Sequence, residues 1–196
     1  MTFPADEVLG AFAEASNTPH EYLTLAFSPL SAPLCSRWRN NGLSADFLGD
    51  YVLTFLPRDG GEPSAKLRQG ELQHAVTYVA NELLENAMKY HAQDRDVPIS
   101  IHLDLTGECL SICVSNSITA EQAACYRSFI AELLKGDPGE LLIERLEQVA
   151  RYDKPGASSC LGLLTMISDY SAQLGWRFHK DSADFLQVKT RVVLAL

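Results

Sequence analysis

The sequence lacks any apolar run near the roughly 18 residues that a membrane-spanning helix needs. Its first residues, Met1 to Ala15, also lack the positively charged stretch of a secretory signal peptide. Basic residues are scarce, because 16 Lys and Arg stand against 25 Asp and Glu and give a formal net charge of -9. This charge disfavours a nucleic acid or an anionic bilayer as the main ligand. We therefore expect a cytoplasmic protein without a membrane or nucleic-acid partner.

Cysteine is present but follows no ligand pattern. The five cysteines include no Cys-x-x-Cys pair, which is the spacing that zinc sites and thiol redox motifs use. Cys109 and Cys113 fall on one face of a predicted strand, but Cys113 shares that face with Ser111 and Ser115. We therefore expect buried thiols and no metal site at the cysteines.

The composition is that of an ordinary globular protein, with 46% hydrophobic and 21% charged residues over 196 positions. The Pro- and Gly-rich stretch 57–64 is the best candidate for a linker. It separates an N-terminal elaboration, residues 1–64, from a core, residues 65–196. The elaboration is expected to consist of helices and a strand that joins the sheet of the core. We expect the two parts to form one compact domain.

The spacing of apolar residues defines the predicted elements, since alternation predicts strands and a 3.6-residue period predicts helices. The predicted strands are 22–27, 99–105, 110–115, 176–179 and 186–194, and the predicted helices are 5–15, 34–40, 44–56, 65–91, 120–134, 139–151 and 161–174. Each hairpin has one apolar and one polar face. The expected fold is therefore α+β, a two-layer α/β sandwich with a largely antiparallel mixed sheet and helices on one face.

One side of the predicted long helix carries a polar stripe next to its core-facing surface. At about 100° per residue, Glu82, Asn86 and Lys89 fall on the same side, with Tyr78 beside them. These side chains supply a proton acceptor, a neutral oxygen ligand for a hard cation and a partner for phosphate. The alternative is a solvated helix face with ion pairs, each worth about 0.2–0.5 kcal/mol.

The stripe lies in the run Val79 to Tyr90, which resembles the N-box of the histidine-kinase-like (GHKL) ATPases, a superfamily with the Bergerat fold. The order of the predicted elements after this run is also similar: two strands, helices, a glycine loop, a helix and two closing strands. The resemblance covers about Leu67 to the C-terminus. It implies that residues 65–196 form a core that binds Mg²⁺ and ATP or ADP.

The same resemblance gives each residue of the stripe a role. Asn86 would hold Mg²⁺ through its side-chain oxygen and contact the nucleotide. Glu82 would be the general base that activates a water or a protein hydroxyl. Lys89 would contact phosphate.

A second segment, 156–164, looks like the glycine box of the superfamily that joins a flexible lid to a helix N-terminus. A simple helix cap is the other interpretation of two glycines at this spacing. The resemblance implies that the nucleotide contacts a set of residues in this segment, namely Gly156, Ser158, Ser159, Leu161 and Gly162.

The sequence departs from the superfamily where an aspartate and two glycines should follow the second strand of the hairpin. Asn116 stands in the place of the aspartate that accepts a hydrogen bond from the adenine amino group, and both glycines are missing. A neutral acceptor forms a weaker hydrogen bond than a charged one. The resemblance therefore implies weakened or altered adenine binding at Asn116, unless this residue merely ends the strand as a turn residue.

Within the superfamily, the chain is most similar to serine-kinase regulators of partner switches, including a group of cyanobacterial regulators. This implies a small antagonist partner of the STAS type and a phosphatase in the same pathway. The favoured hypothesis is a nucleotide-binding regulatory protein with weakened or lost catalysis. The alternatives are an active serine/threonine kinase and an interaction module without nucleotide. The polar sheet face, with Ser100, His102, Asp104, Lys189 and Arg191, is either bare or the interface of a homodimer.

Overall fold

The computed structural model describes residues 4–13, 21–28, 38–56, 63–92, 95–152, 161–182 and 185–196. In chain order the elements are β1 (Asp6–Gly10), β2 (Glu21–Phe27), α1 (Trp38–Leu53), α2 (Pro63–Tyr90), β3 (Ile99–Leu105), β4 (Cys109–Thr119), α3 (Ala120–Leu133), α4 (Pro138–Tyr152), α5 (Leu161–Tyr170), β5 (Gln173–Lys180) and β6 (Phe185–Ala195). Within these ranges, no helix combines the length and the apolar character needed to cross a membrane.

The strands form one six-stranded sheet in the order β1-β5-β6-β4-β3-β2. Every pairing among the described strands is antiparallel, so the α+β two-layer prediction is confirmed and the sheet is not mixed. The predicted alternation is visible in β3, where every second residue from Ile99 to Leu105 is buried. The central strands β4 and β6 form the longest ladder and carry the middle of the core.

Helix α2 packs its apolar face on the sheet through a run of buried residues, Val76, Val79, Ala80, Leu83, Leu84 and Ala87. Helix α1 covers α2 through Ala45, Leu48 and Val52, which are also buried. The predicted helices 34–40 and 44–56 are one helix in the described region, because α1 continues through Gly42 despite the low helix propensity of glycine. Residues 34–37 lie outside the described residues.

The predicted helix over residues 5–15 is wrong, because part of this segment is strand β1. It pairs with the edge strand β5, where Asp6 forms a bidentate ion pair with Arg177. Glu7 on the other face pairs with Arg127 of α3. These partners are more than 100 residues away, so a local apolar period could not reveal them.

Directly after β1, the backbone passes so close to strand β5 that β5 must have a glycine there. A Cβ atom at Gly175 would overlap the backbone of Phe12, so only glycine admits the chain at this position. The ladder ends at Gly10, whose positive φ of 64° lets the backbone turn away from the sheet edge. The predicted helix 161–174 also ends early, at Tyr170, because Ser171 takes a left-handed φ of 51° before β5 begins.

Candidate nucleotide-binding site

A cavity of about 450 Å³ lies between the helical layer and the sheet. Its lining residues come from α2, α3, β4, α5 and β6, so distant parts of the chain meet there. The volume is within the range of about 300–1,000 Å³ that small-molecule sites occupy. Most of the lining is apolar, and the polar groups are few, so each of them constrains what the cavity can bind.

The sheet forms the floor of the cavity and contributes two buried polar side chains. Asn116 of β4 is 6% exposed and Thr190 of β6 is 8% exposed. The register pairs Asn116 with Val188 and Val114 with Thr190, which makes the two polar residues diagonal neighbours on one face. Asn116 therefore faces the cavity from within a strand that continues to Thr119, and it does not end the strand.

A hydrogen-bond chain fixes how Thr190 faces the cavity. The indole Nε1 of Trp176 donates to the hydroxyl of Tyr126 at 2.8 Å, because an indole N–H can only donate. The Tyr126 hydroxyl lies 3.3 Å from Oγ1 of Thr190. Either hydroxyl can be the donor in this contact, so Thr190 can donate to a ligand or accept from it. Sequence patterns gave no sign of this arrangement, which depends on three elements.

Helix α2 forms one wall and brings Asn86 to the cavity, flanked by the apolar residues Leu83 and Ala87. Asn86 and Asn116, which are 30 positions apart in the sequence, thus line the same space. Lys89 lies outside the cavity lining, where its ammonium Nζ is 5.3 Å from the ring centroid of Tyr90. The predicted polar stripe therefore delivers Asn86 to the cavity and leaves Lys89 exposed.

Glu82 lies against the first turn of α5 and not in the cavity lining. A Cβ atom at Gly162 would overlap the Glu82 carboxylate, so this glycine allows α5 to approach α2 closely. Burial raises the pKa of the Glu82 carboxyl above its ordinary value, and the neighbouring Glu85 carboxylate raises it further. A half-buried carboxyl with a raised pKa has the properties of a general base or acid.

The second predicted segment is described from Leu161 onward. Leu161 and Gly162 form the first turn of α5, as the resemblance implies, and Leu163 lines the cavity. Gly156, Ser158 and Ser159 lie outside the described residues.

Burial raises the pKa of the Tyr78 phenol, and a hydrogen bond with Thr165 of α5 opposes this rise.

Helix α3 forms the opposite wall, which sequence reasoning missed. Five residues of this helix line the cavity: Glu121, Gln122, Cys125, Tyr126 and Phe129. The expectation of buried thiols is wrong for the described cysteines, because Cys125 is exposed and Cys109 and Cys113 are only partly buried. The spacing of these residues is helical, but an amphipathic pattern cannot tell whether the polar side of a helix faces solvent or a cavity.

These groups are compatible with a nucleotide and a hard cation. The apolar walls and the buried Asn116 and Thr190 suit the face and the edge of a base, and Asn86 offers one neutral oxygen to a cation. In the described part of the chain, no three His, Cys, Asp or Glu side chains gather as a metal site. A Mg²⁺ ion held by Asn86 would therefore take its other ligands from phosphate or water oxygens.

The fold and the cavity define an α+β protein with a ligand-sized space between its sheet and its helices. No protein-family model and no curated protein matches the sequence. Among solved structures, the chain is similar to a chain of the SiaB–SiaC complex from Pseudomonas aeruginosa, with a TM-score of 0.56 and 16% identity. The match covers 87% of this chain and 89% of that chain. At this level of identity, the similarity shows a shared fold and no more.

Proposed function

We propose that this chain is a regulatory protein of the partner-switch type that binds ATP or ADP together with Mg²⁺. The observation that carries the proposal is the cavity that Asn86 and Asn116 share. The sequence resemblance assigns these residues to opposite ends of one nucleotide, and they come from separate elements. The size of the cavity and its polar floor support the same ligand class.

The residues divide between the base and the phosphates. Asn116 and Thr190 on the floor would contact the base, which the apolar side chains enclose. Asn86 would hold Mg²⁺, and the backbone amides at Leu161 and Gly162 would face phosphate at the start of α5. A bound Mg²⁺ ion supplies neutralisation of phosphate charge.

Weakened or lost catalysis is part of the proposal. The strand residue at the base is a neutral asparagine, and Lys89 lies outside the cavity lining. The alternative of an active serine/threonine kinase is favoured by Glu82, whose raised pKa suits a base that takes a proton from a hydroxyl. A binding protein needs only the cavity, whereas a kinase also needs Glu82 to reach the hydroxyl of a partner protein.

A protein partner is the second part of the proposal. The similar solved structure is a complex of two proteins, SiaB and SiaC. We propose that this chain likewise binds a small regulatory protein, and that the bound nucleotide selects the conformation that binds it. An antagonist of the STAS type, a phosphatase in the same pathway and a homodimer remain expectations from the sequence.

Calorimetric titration of the protein with ATP and ADP, with and without Mg²⁺, tests the proposal. We expect binding that strengthens when Mg²⁺ is present. Alkylation of Cys125, followed by peptide mass spectrometry, tests the location, because this exposed thiol lines the cavity and a bound nucleotide should protect it. Cys109, which lies at the start of β4 and outside the lining, is the internal control. Absence of nucleotide binding would leave the interaction module as the function.

A further inference from the structure

The first turn of α3 presents two adjacent polar side chains to the cavity, Glu121 and Gln122. Among the described residues that line the cavity, Glu121 is the only Asp, Glu, Lys, Arg or His. A carboxylate accepts hydrogen bonds and donates none. Glu121, which is exposed, therefore supplies an acceptor at the edge of the lining, and a ligand group next to it should be a donor.

The side chain of Gln122 has a fixed orientation. Its Oε1 accepts a hydrogen bond from the backbone N–H of Thr119 at 2.8 Å, and Thr119 Oγ1 accepts one from the backbone N–H of Gln122 at 3.2 Å. This capping box engages the oxygen of the carboxamide, because a backbone N–H can only donate. The amide nitrogen of Gln122 is therefore the atom left to donate to a ligand.

We propose that this first turn of α3 reads the base of the bound nucleotide and selects adenine. The proposal rests on the proposed function. An adenine edge places an exocyclic amino donor beside a ring-nitrogen acceptor, so the amino group would donate to Glu121 and the ring nitrogen would accept from Gln122. Guanine and hypoxanthine present a carbonyl acceptor and a ring N–H donor at the same positions, which places acceptor against acceptor and donor against donor.

The floor of the cavity does not make this distinction. The Asn116 carboxamide offers both a donor and an acceptor, so it pairs with either arrangement. The Thr190 hydroxyl can also donate or accept, so it does not favour one purine over another. Discrimination between the two base classes therefore depends on α3, where the acceptor and the donor cannot exchange places.

Calorimetric titration with ADP and IDP measures this selection, because the two ligands share their sugar and phosphates. We expect the wild type to prefer ADP by about threefold or more, because Glu121 is exposed and a mismatch at an exposed group costs less than one at a buried group. Glu121→Gln should remove most of this preference. Gln122→Glu keeps the capping box, because a glutamate oxygen also accepts from Thr119, but it removes the donor and should shift the preference toward IDP.

Glu140→Gln is the matched control, because Glu140 is also an acid in the first turn of a helix but lies outside the cavity lining. It should leave the ADP to IDP ratio at the wild-type value. An unchanged ratio in both Glu121→Gln and Gln122→Glu, with intact ADP binding, would overturn the reading by α3 and leave the proposed function standing. If the wild type binds neither nucleotide, the proposed function and the inference both fail.

Discussion

The two helices on opposite sides of the cavity differ in how the rest of the fold holds them. Helix α2 spans 28 residues and is buried between the sheet and α1 along most of its length. Helix α3 spans 14 residues, and its described buried side chains are Ala123, Ile130 and Leu133. The α2 wall is therefore fixed by packing on two sides, whereas the α3 wall is held by its capping box, a few core contacts and the polar contacts of Tyr126 and Arg127.

This difference suggests a division of roles between the two walls. A group that positions a metal ion must be held rigidly, and Asn86 lies on the helix with more packing. A group that reads a ligand edge needs correct donors and acceptors, which the capping box provides at Gln122. Segments with fewer buried contacts also open more readily, so we expect α3 to move more than α2 when a ligand enters.

Removal of Asn86 should have the largest effect, because it tests the fixed wall directly. We expect Asn86→Ala to weaken Mg²⁺-dependent nucleotide binding by at least about tenfold, or 1.4 kcal/mol, since a methyl group cannot replace an oxygen ligand. Asn81→Ala is the matched control, since Asn81 is a carboxamide on the same helix outside the cavity lining. Calorimetric titration with and without Mg²⁺ measures the nucleotide affinity of both variants. Equal losses in the two variants would remove Asn86 from the site.

The parts of the fold that the sequence predicted are those with a long and local pattern. Helix α2 and strand β3 match their predicted ranges closely, because 3.6-residue and two-residue periods extend over many positions. Strand β4 continues to Thr119, beyond its predicted end at residue 115. The joint location of Asn86 and Asn116 followed from the resemblance in element order. The cavity lining includes both of these residues.

The missed features arise from contacts between distant residues. Strand β1 exists because β5 provides a free edge and Arg177 binds Asp6, and none of this is local. The α3 wall was missed for a different reason. The capping box of Thr119 and Gln122 is readable in the sequence, but the cavity beside it forms only when β4 and β6 pair. The sequence thus predicted helix α3 but not that this helix lines the cavity.

Substitution of Gly162 should have an intermediate effect, because it tests how closely α5 is joined to the fixed wall. The new methyl group would overlap the Glu82 side chain, so we expect Gly162→Ala to lose the gain from helix propensity and to lower the free energy of unfolding by up to about 1 kcal/mol. Gly70→Ala is the control, since a Cβ atom there meets nothing within 4 Å. It should stabilise α2 by about 0.5–1 kcal/mol through helix propensity.

A double-mutant cycle shows whether Glu82 causes the cost at Gly162. In a Glu82→Ala background the overlapping carboxylate is gone, so Gly162→Ala should become neutral or stabilising, since alanine has the higher helix propensity. Chemical denaturation of the four proteins gives the coupling energy. The same cost in both backgrounds would show that backbone conformation, and not the approach of Glu82, requires the glycine.

The smallest effect concerns Glu82 itself and depends on pH. Because burial raises the pKa of this carboxyl above its ordinary value of 4.5, the folded protein keeps the proton to a higher pH than the unfolded chain does. The folded state therefore binds more protons between the two pKa values, and stability falls as pH rises through this window. Glu82→Gln removes the ionisation, so its melting temperature should exceed that of the wild type at pH 7, and the difference should vanish below about pH 4.5. Glu71→Gln removes an exposed carboxylate from the same helix and is the control. Its melting temperature should stay near that of the wild type at both pH values. If the difference in melting temperature for Glu82→Gln does not depend on pH, burial of the Glu82 charge does not destabilise the fold. The raised pKa would then no longer support Glu82 as a base.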